Sequence, residues 1–239
     1  MKTVLFVAAA ASAVVASADA GFLGFVASSR TVGAYTVIDV FAGVQNASDK
    51  FLNVYNTTSN GVFFQATGLA NKTWKPDSAN FNSTRNSIDS FMTAGTYSGG
   101  SYGGEYYAST NTNGDPNFTG NSWNASPASA AATTIPALAG WYTGDPTSID
   151  NSAESIVGLQ NRTNGTGAAG ANFGIWCAHL VLSGTQLIGT NFTFSAFASI
   201  KDGVSGAVSQ ASSEFQAVPA PGALALLGLA GFAARRRRA

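Results

Sequence analysis

The only cysteine and the only histidine of this 239-residue chain, Cys177 and His179, stand two apart in FGIWCAHLVL. On a strand, residues i and i+2 share a face. The imidazole could then take the thiol proton, given a third group to orient it. A metal would need two further ligands, and a chain with one Cys and one His has no CxxC or HxxH pair to offer. The neighbours Ile175, Trp176, Leu180, Val181 and Leu182 are apolar. They predict a core-facing thiol and a half-buried ring, so no catalytic residue is assigned here.

Paired carboxylates on either side of a glycosidic bond would make a sugar hydrolase. Asp39 lies mid-strand, whereas Glu105, Asp115, Asp145, Asp150 and Glu154 fall in loop-like stretches, with nothing to show that any two converge. NTNGDPN places Asn111, Asn113, Asp115 and Asn117 at alternate positions. Such oxygens suit Ca²⁺, but the order is not that of an EF-hand and also describes an ordinary turn. Neither a resident metal nor a cofactor is expected, and the chain is not read as an enzyme.

Aromatic residues crowd the centre: Tyr97, Tyr102, Tyr106, Tyr107, Trp123, Trp141 and Tyr142. Exposed beside Asn and Asp, such rings would stack on sugars, and Tyr106, Trp123 and Trp141 are the candidate carbohydrate contacts. The competing reading is a hydrophobic lid folded back on the sheet edge. Nine N-x-S/T triplets begin at Asn46, Asn56, Asn71, Asn82, Asn117, Asn124, Asn161, Asn164 and Asn191. They fit either glycan acceptors or a surface rich in Ser, Thr and Asn.

The elements that must position these residues show period-2 patterning. Residues 34–44 are apolar on both faces, as in a central strand. FLNVYNTT (51–58) places Phe51, Asn53, Tyr55 and Thr57 on one face and Leu52, Val54 and Asn56 on the other. After the turn signal at 59–61, residues 62–67 read as the returning strand of a hairpin. Residues 87–95 form a short strand or turn, and 173–182, 185–189, 190–203 and 214–218 make a second strand-rich half. Between the halves, 96–134 reads as a long irregular insertion. The fold expected is all-β, a β-sandwich of jelly-roll type, with helices only in a signal segment and a short apolar tail.

The body from 21 to 217 carries seven Lys and Arg against eleven Asp and Glu, a charge of −4. Without a basic stripe it is a poor nucleic-acid binder. One cysteine allows no internal disulfide, so its core must stabilise it. Residues 1–20, with Lys2, an apolar run and small residues at Ala18 and Ala20, have the layout of a secretory signal cleaved before Gly21. Residues 218–239 read VPAPGALALLGLAGFAARRRRA: Val218, Pro219, Ala220 and Pro221, then an apolar run, then Arg235, Arg236, Arg237 and Arg238. The run from 222 to 234 is short of the roughly 20 residues a stable span needs, and the arginines would hold its end cytoplasmic.

This tail resembles the PEP-CTERM sorting signal of Gram-negative bacteria, with Pro-Ala-Pro in place of Pro-Glu-Pro. The resemblance implies processing by an exosortase-type enzyme and transient tethering to the inner membrane. It further implies residence at the cell surface or in an extracellular matrix with exopolysaccharide, in a structural or adhesive role. A carbohydrate-binding module, calcium-dependent or not, and a secreted glycoside hydrolase stay open as alternatives.

Overall fold

The computed structural model describes residues 21–66, 73–76, 84–97, 105–118, 122–123, 132–183 and 192–217. Among these the chain is all-β, in two antiparallel sheets. The long strands are β1 (Gly24–Val32), β2 (Tyr35–Val44), β3 (Lys50–Ser59), β9 (Phe173–Ser183), β10 (Phe192–Lys201) and β11 (Val208–Ala217). Shorter pieces lie between them: β4 (Phe91–Met92), β5 (Thr112–Gly114), β6 (Ala139–Thr143), β7 (Glu154–Ser155) and β8 (Arg162–Asn164). One sheet runs β4-β9-β2-β1-β8, with β7 also on β9, and the other β11-β10-β3-β6-β5.

Local chemistry explains the long strands. β10 alternates cleanly: Phe192, Phe194, Ala196, Ala198 and Ile200 join the inter-sheet core, while Thr193, Ser195, Phe197, Ser199 and Lys201 take the other face. β1 turns into β2 through Gly33 and Ala34, with Val32 opposite Tyr35. Gly33 has φ +60°, the conformation a two-residue hairpin loop requires and a side chain resists. The inter-sheet core takes Phe25, Ile38, Val40, Ile175 and Leu180 from one sheet and Phe51, Val54, Trp141, Phe194 and Phe215 from the other. β2 is apolar on both faces because a second cluster, including Val26, Phe41, Phe91, Ile156 and Trp176, covers the outer side of its sheet.

Three expectations are corrected. The pairs β2–β9 and β3–β10 join strands that follow one another in the same sense along the chain. A jelly roll would instead nest them, setting the strand after β2 beside the strand before β9. The order is that of immunoglobulin-type sandwiches, with β4-β9-β2-β1 facing β11-β10-β3. Residues 62–66 form no strand, and β3 pairs with β10 and β6 instead. The insertion at 96–134 is not wholly irregular, since β5 pairs with β6 and Phe118 and Trp123 enter the core. β1 and β6 were not foreseen as strands. Segment 185–189 lies outside the described residues.

Candidate functional site

Cys177 and His179 do not meet. Opposite β9, Phe41 pairs with Trp176 and Val40 with Ala178, which leaves Cys177 as the extra residue of a β-bulge. A bulge breaks the period of two. Cys177 therefore enters the inter-sheet core, while His179 stands among Phe91 and Trp176 on the sheet's other side. The thiol donates to Val40 O at 3.2 Å, and burial pushes its pKa far up. It is a packed apolar group, not a nucleophile.

His179 belongs to a buried polar network instead. Nδ1 is 2.7 Å from Asp39 Oδ1 and Nε2 is 2.9 Å from Ser87 O. Both ring nitrogens therefore face oxygen atoms. A hydrolytic triad needs Nε2 turned to a nucleophile; here the Ser87 carbonyl occupies it. Arg30 binds the other Asp39 oxygen. Burial alone would raise the Asp39 pKa, but His179, Arg30 and Arg85 outweigh it and hold the carboxyl below the usual range. Arg85 pairs with Glu154, and its guanidinium lies 4.1 Å from the Tyr106 ring centroid, 4.7 Å from Trp176 and 5.0 Å from Phe41. Burial pushes Glu154 up in spite of Arg85.

Of the candidate sugar contacts, Trp123 and Trp141 sit where a polysaccharide could not stack on them. Trp141 is buried between the sheets, its indole N–H donating to Thr93 O at 3.2 Å. Trp123 is buried against Phe118. Tyr106 is half-buried over Arg85. The expectation of an exposed stacking surface is corrected for Trp123 and Trp141, whose rings pack into the core between the sheets.

The alternating oxygens at 111–117 form turns. Asp115 Oδ1 accepts from the N–H of Asn117 at 2.9 Å and of Phe118 at 3.3 Å, and Asn111 Nδ2 donates to Ser148 Oγ at 3.3 Å. Among the described residues no three of His, Cys, Asp and Glu are grouped to hold a metal ion. Asp145 accepts from the N–H and O–H of Thr147, which hold its pKa down, and Glu105 accepts from Asn86.

A surface the pattern did not single out lies on the outer face of the β11-β10-β3-β6-β5 sheet. Bulges at Leu52–Asn53 and at Asn56 displace the expected faces of β3. Phe51, Val54 and Thr57 are buried, while Tyr55 and Thr58 face outward with their partners Phe197 and Ser195. Tyr55 and Phe197 stack at 5.3 Å and 24°, and Phe197 and Tyr142 are 38% and 44% exposed. Beside them a groove of about 690 Å³ is floored by Thr58, Ser195 and Glu214 and walled by Thr163, Asn164 and Thr166. The signal that could have revealed it is the outward set of β10, Thr-Ser-Phe-Ser, read without assuming an apolar ring belongs inside.

The head at 1–20 and the tail at 218–239 lie outside the described residues. Among those described, no helix is long and apolar enough to cross a membrane. No family model, curated protein or solved structure matches this chain.

Proposed function

We propose that this is an exported protein, sorted by its PEP-CTERM-like tail to the cell surface or extracellular matrix. There it serves a structural or adhesive role in contact with exopolysaccharide. The observation that carries the reading is the ordered layout of Pro219-Ala220-Pro221, an uncharged apolar run and Arg235–Arg238, matched by a signal-like segment ending at Ala20. In this reading the head and tail are short helices, and an exosortase-type enzyme removes the tail after a transient stay in the inner membrane. The character of the body supports a passive partner. The buried Asp39 and the half-buried Glu154 are tied to Arg30, His179 and Arg85 rather than turned to solvent. Its exposed strand positions are mostly hydroxyl and amide side chains.

Intact mass and terminal peptide mapping of the protein from culture medium and from membranes test this. The expected product begins at Gly21 and ends near Pro219–Pro221. Retention of Arg235–Arg238 in the mature chain would overturn the sorting reading and make the tail an anchor.

A further inference from the structure

We infer that the outer face of the β11-β10-β3-β6-β5 sheet binds a neutral polysaccharide, whose sugar rings stack on Phe197 and Tyr55 and whose hydroxyls enter the adjoining groove at Glu214. The inference rests on the proposed contact with exopolysaccharide and assigns it a site.

Three observations carry it. The first is an apolar platform exposed on a face that is otherwise polar. β10 is an alternating strand whose outward positions are Thr193, Ser195, Phe197, Ser199 and Lys201. Among these hydroxyls Phe197 keeps 38% of its surface open and stacks on Tyr55 from the neighbouring strand. Tyr142, 44% exposed, lies one strand further along, opposite Asn53. The open side of such a stacked pair offers an apolar surface to the C–H face of a pyranose.

The second is the groove. Ser195 is two residues from Phe197 on the same strand, so its row lies about 7 Å from the ring pair. Ser195 pairs with Thr58 on one side and Glu214 on the other, a hydroxyl–hydroxyl–carboxylate row across three strands. β8 and the loop after it line the other side, the loop being held there by Thr166 N–H donating to Glu214 O at 2.9 Å. Donors and acceptors at this spacing suit the hydroxyls of a sugar beside the one that is stacked.

The third is charge. Among the described residues lining the groove, Glu214 alone is ionisable. The nearest cation in the wall strand, Arg162, is spent on Ile156 O, Ala171 O and Asn164 Oδ1. Lys201 and Lys50 pair at the far end of β10. A polyanion would meet this carboxylate with no cation among the described lining residues, whereas a neutral glycan offers hydroxyls that donate to it.

Affinity electrophoresis of the secreted protein tests the assignment. The gels would contain hydroxyethyl cellulose, mannan, alginate, or neutral polysaccharide extracted from the producing culture. Retardation is expected in at least one neutral gel and not in the alginate gel. Phe197→Ala should weaken it by about tenfold. Glu214→Gln, at an exposed position that cannot disturb the core, should weaken it severalfold, and Ser195→Arg, which fills the groove, should abolish it. Val157→Ser, exposed near the other sheet, should leave it unchanged. Circular dichroism of each variant separates lost binding from lost fold. If the wild type is retarded but Glu214→Gln and Ser195→Arg are retarded equally, the site is wrong while the contact with exopolysaccharide stands. If no neutral gel retards the wild type, both fall. Preference for alginate, or self-association through this face in place of glycan binding, would also overturn the assignment.

Discussion

Asp39 is the residue on which the polar interior turns. It sits at the centre of β2 with almost no exposure, paired with the Arg30 guanidinium and hydrogen-bonded to the His179 ring. Removing one partner of a buried ionic group leaves the others uncompensated, which costs about 3–5 kcal/mol. Asp39→Asn should therefore be less stable than wild type by about 3 kcal/mol at pH 7 in urea unfolding. The pH dependence follows from linkage. The folded-state pKa of Asp39 is depressed, so its contribution is fully present above the unfolded value of about 3.9 and is lost as pH falls through the folded value. The gap between wild type and variant should shrink below about pH 4. A gap that stays constant to pH 2.5 would show that the carboxylate is not the stabilising group.

At the scale of elements, the β-bulges decide which side chains go where. A single extra residue at Cys177 separates it from His179, and another at Asn56 turns Tyr55 and Thr58 outward together. Asn56 sits at φ +53°. Asn tolerates this left-handed conformation, while a β-branched residue does not. Asn56→Gly should leave stability within about 0.5 kcal/mol, and Asn56→Val should cost about 1–2 kcal/mol, read from urea midpoints at unchanged slope. Gly95 plays a related part in the covering segment. Its φ is +98°, and a Cβ there would stand 1.8 Å from Asp150 O. The close approach locks the segment carrying β4 onto the turn at Ile149–Asn151.

For the whole molecule, the consequence is a sheet buried on both sides. Trp141 and Trp74 report the core between the sheets, and Trp176 reports the outer cluster. Both clusters share β2 and β9, so neither can melt without exposing the other. Fluorescence transitions of wild type and Trp176→Phe should coincide with the far-UV circular dichroism transition. Separate midpoints would mean that the covering segment opens alone. The free edge of β11 is also accounted for: Phe22 and Phe25 N–H bond to Ser209 and Ser213 hydroxyls, and Thr166 N–H bonds to Glu214 O. That covering blunts an edge otherwise open to strand addition.

Much of the architecture was legible in the order of residues, because alternation and turn chemistry are local. Residues 34–44, 51–58, 173–182 and 190–203 fall on β2, β3, β9 and β10 with small changes of boundary. The ion-pair partners were not legible, since Arg85 and Glu154 are 69 residues apart and His179 and Asp39 are 140 apart. The sheet-face assignments failed where a bulge intervened, because a one-residue slip exchanges the two faces and leaves no mark in composition. The exposed platform was missed for the same reason, and Trp123 and Trp141 were overvalued because an aromatic residue in a loop-like stretch does not disclose whether that stretch folds back. By itself, then, the sequence determined that the body would be a disulfide-free, acidic β-protein, since these properties depend on residue type and local period. Only the tertiary structure decided which carboxylates are neutralised and which aromatic rings meet solvent, because both depend on contacts between strands distant in the chain.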